Sequence, residues 1–268
     1  MRYSNLHTHT VFSDGADTVE ANIKSAIEKN MLSLGISDHS YTPFDTSYCI
    51  QRERIDEYKA EVRRQRELYR DKIEVYLGLE LDGFAQICDR EDYDYVIGDC
   101  HYLPTADGYK PIDVSRSAFV DVAQKYFNND TVEMAVSYYR SYAETVYPMR
   151  PDVLGHIDLI NKYGLVDESD ARYVAAAKEA LSAVLEVSSV VELNTGAIAR
   201  GYKAQPYPAD FILEQIKKKG GKILLSSDSH SAKNLTFWFD EAKALLLVKG
   251  IRSIVVYTDG GFKEVGIE

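Results

Sequence analysis

Short β-rich runs alternate along this chain with longer stretches in which apolar residues recur at helical spacing. The runs cover 3–6, 34–37, 73–79, 95–98, 153–155, 190–193 and 222–226, with a further one at 253–257. Between the first two, Val19, Ile23, Ala26 and Ile27 share one helical face, after a cap-like Asp17 with Glu20 three positions on. Ile55, Tyr58, Val62 and Tyr69 continue the pattern in the next connection, and Phe119, Val122 and Tyr126 in a later one. Phe211, Ile212 and Ile216 precede Gly220-Gly221, which predicts a helix stop there. No low-complexity segment, internal repeat or Pro/Gly/Ser linker interrupts the alternation. Strand and helix in strict turn predict an α/β fold with a parallel sheet, and over 268 residues the economical closure is a single barrel spanning 1–268. Barrels place their chemistry on the loops at the C-terminal ends of the strands.

The polar residues follow that frame. All six histidines sit at or just after a predicted strand end. His7 and His9 follow the first strand, Asp38 and His39 the second, and Glu80 closes the third. His101 follows the fourth and His156 the fifth; Glu192 and Asn194 mark the sixth; Asp228 and His230 close the seventh. In extended chain, residues two apart point the same way, so His7 with His9, and Asp228 with His230, each present a pair to one side. Any single histidine beside a strand is ordinarily a hydrogen-bonding group, and a lone Asp in a Ser-rich turn is ordinarily a turn former. Those readings predict scatter over helices and surface, and here no histidine is left over. The joint pattern predicts a multinuclear metal site. Mixed imidazole and carboxylate ligands suit Zn, Mn or Fe, whereas Ca and Mg prefer oxygen shells. The ligands outnumber what one ion can use, and a carboxylate such as Glu80 can bridge two.

Composition narrows the partners. Hydrophobic residues make up 45% of the chain and charged residues 27%, the balance of a globular protein with a sizeable core. The formal net charge of -11 disfavours nucleic acid, whose affinity comes from neutralised phosphates, but leaves a small phosphate ester open because bound cations reverse the local sign. No stretch approaches the ~18 consecutive apolar residues of a membrane span, so no membrane partner is expected. The N-terminal segment has no apolar core, so no signal peptide is expected either. Cys49, Cys88 and Cys100 show no CxxC spacing, which predicts free thiols and a reducing, cytoplasmic setting. Cys100 stands beside His101, but no loop dense in backbone donors surrounds it to cradle a phosphate, which argues against a cysteine nucleophile.

In order, the chain shows His-x-His near the N-terminus, Ser-Asp-His, Gly-x-Glu, a later histidine, Gly-His and a final Ser-Asp-x-His. This ordered set, running from His7 to His230, resembles the PHP (polymerase and histidinol phosphatase) superfamily. The resemblance implies a distorted (β/α)7 barrel with a trinuclear centre of two to three divalent transition metals. It implies that His7, His9, Glu80 and Asp228 hold one ion, and that Glu80, His101 and His156 hold a second, with Glu80 bridging. His39 and His230 would hold a third with Asp14, a position at which many members have histidine. Within the superfamily, the length, a Tyr-rich middle segment, the stretch from Gly155 to Lys162 and Glu192–Gly196 followed by Arg200 resemble the stand-alone histidinol-phosphatases.

That resemblance implies hydrolysis of a phosphate monoester, histidinol phosphate, to histidinol and phosphate by a hydroxide shared between two ions. Glu80, Arg200, His230 and Asp14 are then the residues expected in catalysis, the first as bridge and the last as one source of the leaving group's proton. Arg200 and Lys162 are expected to meet the phosphate, since a monoester needs positive charge beyond its metals. Glu192 and Asp158 are expected to meet the amino end, and Tyr202, close to Arg200, to line the entrance with Tyr102. Competing expectations are a PHP phosphoesterase acting on nucleotides, oligonucleotides or a phosphoprotein, and a metal-binding scaffold without catalysis.

Overall fold

The structure is a computed structural model that describes residues 1–85 and 89–268. Seven strands pair in parallel in chain order: β1 (Ser4–Asn5), β2 (Ser33–Ile36), β3 (Glu74–Asp82), β4 (Tyr95–Asp99), β7 (Val153–Leu154), β8 (Val190–Asn194) and β9 (Lys222–Ser226). A small antiparallel hairpin, β5 (Tyr102–Thr105) and β6 (Gly108–Pro111), leaves the sheet after β4. A parallel bridge between Thr8 and Ser229 joins the chain beyond β1 to the chain beyond β9. The curled sheet therefore closes on itself at the C-terminal end of its strands, as the distorted seven-stranded barrel requires.

At the opposite end the eighth predicted run forms β10 (Ser253–Thr258), which pairs in parallel with β9 through Val255 and Leu224 and antiparallel with β11 (Gly261–Gly266). Ser33 Oγ donates to Tyr257 O at 2.5 Å and Tyr257 N to Ser4 Oγ at 3.3 Å, so this hairpin seals the base between β9 and the first two strands.

Helices cover the outside: α1 (Val19–Glu28), α2 (Ile55–Tyr69), α3 (Arg116–Phe127), α4 (Thr131–Met149), α5 (Ala171–Val184), the short α6 (Gly196–Ala199), α7 (Asp210–Lys218) and α8 (Phe239–Val248). The cap of α1 is Thr18, whose hydroxyl accepts from Ala21 N at 3.2 Å, and not the expected Asp17. Asp17 instead accepts from Ser231 Oγ and Ala232 N, tying this turn to the loop after β9. The Tyr-rich middle segment is α4, in which Tyr138, Tyr139 and Tyr142 are fully buried. Tyr139 Oη donates to Tyr173 Oη of α5 at 2.9 Å. No helix among the described residues is long and apolar enough to cross a membrane.

Alternation along the strands sorts side chains between the helical shell and the barrel interior. On β3, Val75, Leu77, Leu79 and Leu81 pack outward, so Tyr76, Gly78, Glu80 and Asp82 face in. On β4, Tyr95 and Ile97 belong to the inner cluster, which places Asp99 in line with them. On β8, Val190 faces in, and Glu192 and Asn194 share its parity. The interior is therefore apolar at its base and carboxylate-rich at its mouth. The Tyr95 ring fills the middle and its hydroxyl donates to Leu6 O. It fits because Gly35 and Gly78 lack Cβ atoms, which would lie 2.1 Å from Tyr95 Oη and 2.2 Å from Tyr95 Cζ. Gly78→Ala should destabilise the fold by about 1–3 kcal/mol through overpacking. An unchanged urea midpoint would show that the ring has room to move.

Candidate metal centre and cavity

The strand ends converge on Glu80. Its Oε1 lies 3.2 Å from His7 Nε2, 3.1 Å from His156 Nε2 and 3.5 Å from His101 Nε2. Its Oε2 lies 2.6 Å from His39 Nδ1 and 3.5 Å from His9 Nε2. Asp228 forms a second focus, with Oδ1 3.2 Å from His9 Nε2 and 3.6 Å from His230 Nδ1. Asp14 lies on the solvent side, its Oδ2 3.1 Å from His230 Nε2 and its Oδ1 3.7 Å from His39 Nε2. His9 is sandwiched between His39 and His230, with ring centroids 4.4 Å and 4.2 Å away. All nine side chains expected as ligands thus meet in one place.

Four groupings bring ligand atoms within 4.8 Å of one another: His9, Asp14, His39 and His230; His7, His9 and Asp228; His39, Glu80 and His101; and His7, Glu80, Asp99 and His156. They overlap the three expected sets without reproducing them. His9 joins the Asp14 group, His39 joins Glu80 and His101, and Asp99 appears where no ligand was expected.

The cage also buries polar atoms that no protein group satisfies. His7 Nε2, both nitrogens of His9, His156 Nδ1, Glu80 Oε2 and both oxygens of Asp99 are buried without a hydrogen bond of good geometry. A buried polar group left unpaired costs about 1–3 kcal/mol, so a cluster of them is stable only if something else satisfies it. Imidazole and carboxylate are the ligand types that divalent transition metals take, and the donor set fits such ions.

Burial and these charges shift the acidity of the cage residues in opposite directions. Burial opposes charge on His101, but its bond to Asp82 and the charge of Glu80 outweigh this and push it up to about 10. His156 is pushed up to about 9 against burial, by Asp99 and Glu80. His7 rises well above its ordinary value against burial, through Glu80, Glu192 and Asp228, and His39 also rises, through Glu80 and Asp14. His9 goes the other way, to about 3, through burial and its neighbours His230 and His39. Burial pushes Asp99 up to about 8.

Residues behind the cage aim its members. Glu192 Oε2 lies 2.9 Å from His7 Nδ1 and Asp82 Oδ2 lies 3.1 Å from His101 Nδ1, so each carboxylate takes the ring nitrogen that faces away from Glu80. Asp38 accepts from Thr10 N at 2.7 Å, Thr10 Oγ1 at 2.8 Å and Ser13 N at 3.2 Å, and so pins the turn that carries Asp14. Sequence reasoning gave none of these carboxylates a supporting role.

A cavity of about 280 Å³ opens over the cage, lined among others by Asp14, His39, Glu80, His101, His156, Asp228 and His230. Arg200, Lys162, Tyr202 and Tyr102 line it as expected. Arg200 Nη2 donates to Asp228 Oδ2 at 2.8 Å and Nη1 to Asp228 O at 3.1 Å. Lys162 Nζ donates to Asp113 O at 2.8 Å and Oδ2 at 3.1 Å. Glu192 and Asp158 do not line the cavity, which corrects the expectation that they meet a substrate. Glu192 is buried beneath His7, where it also accepts from Ser226 Oγ at 2.7 Å, and Asp158 is buried and accepts from Ala209 N at 2.7 Å. The carboxylates outside the cage that do face the cavity are Asp45 and Asp113. Cys49 and Cys100 are buried free thiols, and Cys88 lies outside the described residues. Burial pushes the Cys100 thiol well above its ordinary range, which removes it as a nucleophile.

A family profile described as PHP domain matches residues 5–196, most of the chain. The chain belongs to the PHP domain family. It is similar to a probable histidinol-phosphatase of Deinococcus radiodurans, at 26% identity over 94% of this chain and 92% of that one. Its fold is similar to the crystal structure of a putative histidinol phosphatase from Listeria monocytogenes, with TM-score 0.77, 18% identity and coverage of 89% of this chain and 99% of that one. It is also similar to the histidinol phosphate phosphatase of Lactococcus lactis, crystallised with zinc, L-histidinol and phosphate, with TM-score 0.70, 20% identity and coverage of 98% and 99%.

Proposed function

We propose that this PHP-domain protein is a metal-dependent phosphoric monoester hydrolase whose substrate is histidinol phosphate. The single observation that carries the reading is the cage around Glu80, open to a cavity that also presents Arg200. Curated relatives named histidinol-phosphatase match along nearly the whole chain, and a protein of like fold binds zinc, histidinol and phosphate. The nine expected side chains would hold two to three divalent ions, of the Zn, Mn or Fe type. Bound there, such ions supply Lewis acidity to the ester and lower the pKa of the attacking water.

The chain's own residues do the rest. Glu80 gives one oxygen to the His7, His101 and His156 side and the other to the His9 and His39 side, so it is the residue that would hold two ions at once. Arg200, fixed by Asp228, turns a guanidinium toward the cavity, where it neutralises charge on a phosphoryl group. Lys162 sits in the wall and is tied to Asp113, so its charge is shared between that carboxylate and the substrate. Asp14 is held far below the ordinary carboxylate range by His39, His230 and His9 against its burial. It is therefore ionised and serves as a ligand and as the partner of His230, in place of the expected proton donor. Asp45 and Asp113 give the cavity the negative wall that an amino-bearing substrate needs.

Arg200→Ala should lower kcat/KM for histidinol phosphate by roughly ten- to a hundredfold, the worth of one charge-assisted hydrogen bond. Unchanged kinetics would place this guanidinium outside the phosphate site. Reconstitution with Mn, Zn or Fe followed by a p-nitrophenyl phosphate assay separates the enzyme from a scaffold, which would bind ions and release no phosphate.

A further inference from the structure

Among the described residues, Asp99 is the one member of the four groupings that was not expected as a ligand. It ends β4 with its carboxylate in the barrel interior and is fully buried. Neither of its oxygens makes a hydrogen bond of good geometry, yet Oδ1 stands 3.2 Å from His156 Nδ1. The other nitrogen of the same ring, Nε2, stands 3.1 Å from Glu80 Oε1. The two nitrogens of an imidazole point apart, so Asp99 and Glu80 bracket His156 from opposite sides.

The room for this carboxylate is made by Gly155. A Cβ there would lie 1.9 Å from Asp99 Oδ1 and 2.3 Å from Oδ2. Gly155 is not in the left-handed region, so its backbone does not require glycine. The carboxylate next to it does. Two neighbours in sequence, Gly155 and His156, are thus both fitted to Asp99.

We propose that Asp99 is a positioning residue of the metal centre: it takes His156 Nδ1–H, fixes the ring, and leaves Nε2 as the atom His156 presents beside Glu80. A carboxylate behind a ligating imidazole fixes its tautomer and raises its basicity, and removing such a partner typically costs ten- to a hundredfold in metal affinity. The inference rests on the reading of the cage as a metal centre, and its test separates the two.

Metal-free wild-type protein and the variants Asp99→Asn, Asp99→Leu and Gly155→Ala would be titrated with Zn or Mn against a competing chelator. Ion number and affinity are read for each, together with metal-free thermal unfolding to verify the fold. Wild-type protein that takes up no ion would sink the metal-centre reading itself. If Asp99 positions His156, all variants bind as many ions as wild type. One ion is then held roughly ten- to a hundredfold more weakly in Asp99→Leu and Gly155→Ala. Asp99→Asn falls between them and wild type, because its amide oxygen still accepts from Nδ1–H. Equal affinity in all four proteins would overturn the proposal. So would loss of an ion from Asp99→Asn as complete as that in His156→Ala, which would make Asp99 a ligand.

Discussion

Replacing Glu80 by glutamine is expected to abolish phosphate-ester hydrolysis and to lower the metal content. Glu80 is buried, and its two oxygens lie within 3.5 Å of nitrogens from His7, His9, His39, His101 and His156. An amide keeps the shape but offers one oxygen, and turns two N–H donors toward ring nitrogens or cations. It also removes the negative charge that balances the cage. Loss of a bridging charge at a dinuclear centre is worth several kcal/mol, so turnover should fall by at least about a thousandfold. Steady-state kinetics and elemental analysis on the same preparation measure both effects. A variant with full metal content and near-normal turnover would rule out Glu80 as the bridge.

Metal uptake should release protons, and affinity should fall steeply as the pH falls. In the metal-free protein His101 and His156 keep their protons up to about 10 and 9, and His7 and His39 are raised as well. At neutral pH His101 and His156 are therefore charged, and a ligand must be neutral. Each ion therefore has to displace protons, and acid favours the protonated, metal-free state. His9, lowered to about 3, is already neutral and contributes none. Each proton displaced costs about tenfold in affinity per pH unit, so an ion that displaces two loses roughly a hundredfold per unit between pH 8 and 6. Calorimetric titration in buffers of different ionisation enthalpy counts the protons directly. A metal affinity that is flat across this range would contradict the electrostatics of the cage.

Much of this centre was legible in the sequence, because strand ends and two-residue spacing are local properties. His7 with His9 and Asp228 with His230 needed only the alternation of extended chain, and Glu80 needed only a strand that stops there. One cause of the misses is that the direction a strand-end carboxylate faces depends on parity with residues deeper in the barrel. Glu192 and Asp158 were expected at the substrate, whereas both are buried away from the cavity. Asp99 and Asp82 went unassigned, although Asp99 continues the inward series Tyr95 and Ile97, and Asp82 the series Tyr76, Gly78 and Glu80. Asp45 and Asp113 could not be placed at all, since they reach the cavity from irregular chain that obeys no period. The tyrosines include buried helix contacts such as Tyr138, Tyr139 and Tyr142, barrel-interior residues such as Tyr76 and Tyr95, and the cavity residues Tyr48, Tyr102 and Tyr202.

The most direct test of the whole account is phosphate release by metal-reconstituted protein across a panel of monoesters. The panel would include histidinol phosphate, p-nitrophenyl phosphate, a nucleoside monophosphate and a phosphopeptide. The cage, Arg200 and the acidic wall predict hydrolysis of histidinol phosphate with a kcat/KM at least about a hundredfold above the others, the worth of two or more specific contacts. Equal rates on all four would leave a phosphoesterase without the proposed substrate. No phosphate from any of them, with ions bound, would contradict the account.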